Sequence, residues 1–278
     1  MSIYDNLLRQ LDERAWLSFR IWDFSLRSLA RRYGNTFLKE VAFRHPLRTL
    51  TGLLAYRRLV SSDSTKGDVT HLFSGTEEEF QSRVARGEKD FLVAVGFCQK
   101  PMKETGHRYE CPEGRFNHRC FYLAQPDLSH TQEKSLPPAC RECEIRAVGD
   151  KALRAGANVH IMTSALDIAY DIFVPTLKHR RFKTAIFCVC PYSVHPMALP
   201  LLICGIEGFV VQFNSGYCVD YSQWSLADGG TKNERTFLSQ PAYRKILAFL
   251  DNVAALRVEL KKPSYHYFRE EGNIYAPG

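Results

Sequence analysis

The sequence predicts an α/β fold: a mostly parallel sheet built from βαβ units, with a helical N-terminal region and a C-terminal helix. Three observations lead there. Short apolar runs recur at Phe91–Phe97, Asn158–Met162, Thr184–Cys190 and Gly208–Phe213, as expected of strands covered on both faces. Helical patterns separate them at 141–155, 167–178 and 196–204, and strands alternating with helices of this length form βαβ units. A last amphipathic stretch, 241–262, places Ile246, Leu247, Phe249, Leu250, Val253 and Leu256 at helical spacing.

The elements follow in chain order. Leu7, Leu8, Leu11, Ala15, Phe19 and Trp22, then Phe37, Val41, Leu47 and Leu50, are spaced as the inner faces of helices. Residues 1–60 carry 11 Lys/Arg against 5 Asp/Glu, most of the chain's net charge of +7. Arg9, Arg20, Arg27, Arg31 and Arg32 suit the outer face. Such a basic region, residues 1–66, fits an anionic membrane surface or an acidic partner. The plainer reading is a solvated face on helices packed against the main domain. Ser61 to Gly67 reads as a linker, and the α/β domain occupies 67–278. A short acidic helix is expected from Thr76 through Glu77-Glu78-Glu79. Ser164-x-x-Asp167 has the form of a capping box, and Pro175 is expected to end or kink the helix it opens.

Hydrophobic content of 45% and charged content of 24% are those of a soluble globular protein. The opening residues, with acids among the apolar positions, resemble neither a signal peptide nor a membrane span. Nine cysteines, an odd number, fit a reducing cytoplasm better than a disulfide framework. Nothing resembles a helix-turn-helix or a glycine–aromatic pattern, so a nucleic-acid partner is not expected. Gly205-Ile206-Glu207-Gly208 and Gly229-Gly230 match neither a Walker loop nor a dinucleotide fingerprint. Ser164 and Ser193 do not lie in a nucleophile elbow.

The chemistry of the chain lies in its cysteines. Cys98, Cys111, Cys120, Cys140 and Cys143 crowd into 46 residues, and Cys190 and Cys218 follow predicted strands. In an open α/β sheet the ligand side is the carboxyl edge of the strands. Cys98, Cys190 and Cys218 come off three strands at that edge, and Cys140-x-x-Cys143 opens the helix leading to the second strand. Two residues between thiolates allow both to bind one ion or cluster, and a helix N-terminus favours the thiolate form. Cys188, deeper in its strand, and Cys204, in an apolar helix, read as core. Seven thiols remain: Cys98, Cys111, Cys120, Cys140, Cys143, Cys190 and Cys218. They suffice for one four-cysteine cluster with three to spare, or for two clusters with a further ligand. His107, His118 and His195 are the nearby imidazoles. Only one C-x-x-C is present, whereas structural zinc usually takes two close pairs, so iron–sulfur is favoured over zinc.

These elements carry a resemblance. Phe97-Cys98-Gln99-Lys100-Pro101, Cys111-Pro112, Cys120, Cys140-Arg141-Glu142-Cys143-Glu144-Ile145, Cys188-Val189-Cys190-Pro191 and Gly216-Tyr217-Cys218-Val219-Asp220 occur in this order between Phe91 and Trp224. In type and order they resemble the prokaryotic family catalogued as domain of unknown function 116, although the spacing from Cys120 to Cys140 exceeds its compact arrangement. The resemblance implies a cysteine-rich, iron–sulfur domain and supplies no reaction. The expectation is therefore one or two clusters, of the 4Fe-4S type, serving redox or sulfur chemistry on a small molecule with an electron donor. The alternatives are a zinc-stabilised binding module, and a protein that docks to a partner or membrane through its basic helices. Arg115, Arg119, Arg141 and Arg146 lie among the cysteines and would attract an anion or offset an anionic cluster.

Overall fold

Each predicted apolar run becomes a strand, and the sheet is larger than those runs alone. The computed structural model describes residues 36–61, 67–87, 89–103, 109–128, 133–219 and 221–278. The helical pattern through Trp22, the arginines from Arg9 to Arg32, linker residues 62–66 and His107 lie outside the described residues. The strands are β1 (Val69–His71), β2 (Phe91–Gly96), β3 (Asn158–Met162), β4 (Thr184–Val189), β5 (Glu207–Ser215), β6 (Phe237–Leu238), β7 (Phe268–Glu271) and β8 (Ile274–Pro277). Their order is β1-β5-β4-β2-β3-β8-β7, with β6 on β5. The inner four are parallel, and β1 and β8 join their edges antiparallel. From β2 the chain crosses to β3 on one side, then returns to place β4 on the other. That reversal is a switch point, and the crevice between the carboxyl ends of β2 and β4 is where such sheets bind ligands.

The helices are α1 (Pro46–Ser61), α2 (Glu77–Arg86), the short α3 (Pro138–Arg141), α4 (Glu144–Arg154), α5 (Ala165–Ile168), α6 (Val174–His179), α7 (Val194–Cys204), α8 (Tyr221–Asp228) and α9 (Gln240–Glu259). Strand alternation sorts the core into two layers. Val93 and Val95, with Ile186 and Cys188, meet Phe80, Ile145, Val148 and Phe249 from α2, α4 and α9. Leu92 and Ala94, with Phe187, meet Tyr56, Phe173, Leu201 and Ile203 on the opposite face. Helix α1 packs on α7, where Tyr56 is fully buried and Gly52 lies against Ile203. Thr76 caps α2 through a complete capping box with Glu79.

Two local expectations change in the structure. Ser164 accepts the Asp167 N–H, but the Asp167 carboxylate takes the Thr163 hydroxyl instead of closing a capping box. Pro175 does not end its helix. A π-helical turn, Ala169–Phe173, joins α5 to α6, and Pro175 falls in the first turn of α6, where its missing N–H costs little.

At the start of β5 the backbones of β4 and β5 approach closely. Gly208 has φ of 153°, and a Cβ there would lie 1.7 Å from the Ala185 carbonyl oxygen. Gly208→Ala is expected to destabilise the fold by roughly 2–3 kcal/mol, as strained, clashing substitutions do. The check is a urea midpoint that falls while the slope stays unchanged.

Candidate metal centre

The seven cysteines come together as two groups on either side of the segment Cys98–Lys100. The first group occupies the switch point. Past β2 the chain turns through Phe97–Gln99, held by the Gly96 N–H donating to Gln99 Oε1 at 3.0 Å. A side chain at Gly96 would come within 2.9 Å of Cys98 Sγ and 3.3 Å of the Phe213 ring, so glycine leaves room for the thiol. Cys190 follows β4 directly. The Cys218 N–H donates to Cys190 Sγ at 3.4 Å, the Thr236 hydroxyl to Cys98 Sγ at 3.0 Å, and Lys232 Nζ to Cys218 Sγ at 3.5 Å. All three residues line a cavity of about 100 Å³, as does Cys188, and its other walls include Met162, Met197, Phe213 and Trp224. Cys188 lies beneath Cys190 on the same strand face and is 1% exposed.

The second group is Cys111, Cys120, Cys140 and Cys143, which line one small pocket with Tyr122 and Arg146. Cys140 sits in α3 and Cys143 at the N-cap of α4. This places the pair a turn earlier than the single helix expected from residue 141. The loop carrying Cys111 and Cys120 is pinned from below by Lys100. Its buried ammonium donates to Gly114 O at 3.2 Å, Asn117 O at 2.9 Å and Asn117 Oδ1 at 2.7 Å. The Cys120 N–H donates to the Tyr275 hydroxyl at 2.9 Å, tying the loop to β8.

Electrostatics divide the thiols in the same way. Burial pushes Cys120 and Cys140 up to about 12; next comes the neighbouring Cys143, with a further contribution from Cys111. Burial likewise raises Cys143, while the N–H groups of Arg146 and Ile145 and the charge of Arg235 work against it. Burial raises Cys98, and the Thr236 hydroxyl and Lys232 oppose that rise. Cys190 is raised first by a thiol–thiol hydrogen bond with the Cys218 side chain, then by burial, and the Cys218 backbone N–H works against the rise. Burial also lowers Lys100, against the pull of Cys111, Cys120 and Cys143. As thiolates the members of each group repel one another, and a cation shared among them removes that cost.

The spacing bears on which cation. Among the described residues no three cysteine sulfurs lie within 4.8 Å of one another. Four thiolates on one zinc, at about 2.3 Å each, would sit roughly 3.8 Å apart. Neither imidazole from the sequence joins these sulfurs: His195 Nδ1 pairs with the Tyr56 hydroxyl at 3.1 Å, and His118 turns to Ile161 O at 2.8 Å. Cys204 packs apart from both groups, against the Phe173 carbonyl.

Lys100, Lys232, Arg235 and Thr236 were not apparent as site residues from the sequence. Lys232 to Thr236 is a polar loop without a motif, and Lys100 in a charged stretch reads as solvent-facing. Compared with protein-family models, curated proteins and solved structures, the chain matches none.

The thiol shifts give a signed pH dependence. A thiol raised above its ordinary value of 9.0 keeps its proton longer when folded. Its contribution is complete below that value and is lost as the pH climbs toward about 12. The metal-free, reduced protein is therefore expected to melt at a lower temperature at pH ~10 than at pH ~7.5. Metal affinity should run the other way and rise with pH, because binding releases thiol protons.

Proposed function

We propose that this is an iron–sulfur protein with two unlike centres, acting in redox or sulfur chemistry on a small molecule. The observation that carries the reading is the division of seven cysteines into a set of four and a set of three, the latter open to a cavity at the switch point. Cys111, Cys120, Cys140 and Cys143 supply four thiolates, enough to close a cluster with protein ligands alone. Cys98, Cys190 and Cys218 supply three and leave one position facing the cavity. A cluster bound there supplies one-electron transfer and, at an iron without a protein ligand, a Lewis acid.

The chain's own residues supply the rest. Lys100, Arg146 and Arg235 offset negative charge at the four-cysteine set; Lys232 and Arg115 do so near Cys98. Met162, Met197, Phe213 and Trp224 give the cavity apolar walls, and its volume admits only a small ligand. Lys232, at the rim beside Cys218, favours a substrate with an anionic end. Gln99 spans the two sets, accepting from Gly96 N–H and donating to Glu144 Oε2 at 3.0 Å. Zinc remains the alternative for the same thiols, with a purely structural role.

The test is iron, sulfide and zinc analysis with a visible spectrum on protein purified without oxygen. The expected result is brown protein with about eight iron and eight sulfide per chain if both sets hold cubanes. Cys140→Ser with Cys143→Ser should remove about half the iron, and Cys190→Ala the other half. Colourless protein with stoichiometric zinc and no sulfide overturns the reading.

A second reading, docking to an anionic membrane, has its own observation. Phe43, Leu47, Leu50 and Leu54 are 74%, 79%, 57% and 50% exposed, at helical spacing, and Arg44, Arg57 and Arg58 are exposed beside them. Among the described residues no helix is long and apolar enough to cross a membrane, but this face suits the interface. Leu47→Glu with Leu50→Glu is expected to abolish co-sedimentation with anionic vesicles while leaving metal content unchanged.

A further inference from the structure

Beside β3, two histidines and two aspartates that belong to neither thiol group converge. His118 Nδ1 lies 2.8 Å from the Ile161 carbonyl. A carbonyl oxygen only accepts, so Nδ1 carries a proton and Nε2 is the ring nitrogen that faces the cluster. That Nε2 faces Asp167 Oδ2 at 3.5 Å and the Thr163 hydroxyl at 3.4 Å. An imidazole nitrogen and a carboxylate oxygen so placed suit a shared metal ion. His160, fully buried on β3, brings Nε2 to 3.1 Å from Asp171 Oδ2, and its Nδ1 has no partner. One ligand atom each from His118, His160 and Asp171 lie within 4.8 Å of one another.

Local structure aims these groups. Asp171 sits in the π-helical turn Ala169–Phe173, a distortion frequent at functional sites, between two ordinary helical stretches. Asn273 Nδ2 donates to Asp171 Oδ2 at 2.9 Å, and Thr163 donates to Asp167. These contacts, with the Ile161 carbonyl on His118, are the outer hydrogen bonds that orient metal-binding imidazoles and carboxylates. A solvent-facing pocket of about 200 Å³, lined by His118 and Asn273, gives access.

We propose that His118, His160 and Asp171, with Asp167 in reach as a fourth ligand, form a mononuclear site for a divalent transition metal. Two neutral imidazoles and two carboxylates leave a dication neutralised, and imidazole with carboxylate selects metals such as zinc or ferrous iron over magnesium or calcium. The ion would clamp the loop bearing His118 onto β3 and the helix after it. His118 precedes Cys120 by two residues, so the clamp also places a thiol of the four-cysteine set. Neither the metal in that set nor its identity enters the argument.

The test is zinc-edge anomalous scattering from crystals of the full chain soaked in zinc chloride, which separates this site from the cysteines by position. A peak between His118, His160 and Asp171 is expected, absent in His118→Ala. Asn273→Ala, which removes only the orienting hydrogen bond, should weaken zinc binding at this position by roughly tenfold. If His118→Ala fails to fold, Asp167→Asn and Asn273→Ala carry the comparison. No peak at this position in the unaltered chain, or a peak of equal occupancy in every variant, overturns the proposal. Loss of iron from the cysteines leaves this outcome untouched, so failure here and failure of the iron–sulfur reading are distinguishable.

Discussion

Everything at the candidate centre depends on parallel pairing of β2 with β3 on one side and β4 on the other. The pairs Phe91↔Thr184 to Ala94↔Phe187 set the level at which the two strands finish. Extending that register brings Cys98 opposite Pro191, one residue from Cys190. Two thiols 92 positions apart in the chain thus leave the sheet at one height, where connections diverge to opposite faces and no helix fills the gap. β5, in register with β4 through Val189↔Gln212, delivers the loop of Cys218 to the same place. A one-residue slip would send Cys188 and Cys190 to the other face, among Phe187, Val189 and the packing of α7.

The same edge tolerates an unusual polar interior. Gln99, Lys100 and Arg235 are each 2% exposed or less. An ammonium that deep is expensive unless its donors are used, and Lys100 uses them on oxygens of the Cys111–Cys120 loop. Arg235 Nε donates to the Gln99 carbonyl at 2.9 Å, and the Thr236 N–H to the Cys98 carbonyl at 2.9 Å. The segment Cys98–Lys100 is thereby fixed on both sides. One end faces the three-cysteine cavity and the other supports the four-cysteine loop, so the two groups share a rigid wall.

The parallel strands were legible because each is an apolar run of strand length with punctuation at its ends, and burial on both faces demands that composition. The edge strands were not. Val69–His71 and Phe237–Leu238 are too short to show a period, and the outermost strand, Phe268–Glu271, is four residues with three charges. The seven cysteines were legible by residue type and by Cys140-x-x-Cys143, yet their partition was not. Which loop meets which strand is set by Lys100 and Tyr275, whose roles appear only once the chain has folded back 155 positions to bond Cys120. His160 is hidden for a related reason. A single imidazole in Asn158-Val159-His160-Ile161-Met162 reads as a core residue, and its partner Asp171 is brought over it by a π-turn that the sequence disguises as an ordinary helix.

The contrast between the two cysteine sets bears on what a cluster in each would do under the proposed function. Cys120, Cys140 and Cys143 are each less than 10% exposed, and their pocket is small, so four thiolates there leave neither a free position nor space for a ligand. Such a centre is limited to passing electrons or holding the loop together. At the switch point the ligand count falls by one while the free volume rises, and a cation, Lys232, stands beside the sulfur nearest the loop. Cys188, directly beneath, also borders the cavity, and burial raises its thiol far above the ordinary range. Under the proposed function, the cavity and the neighbouring Lys232 favour substrate chemistry on the switch-point side and electron transfer on the other.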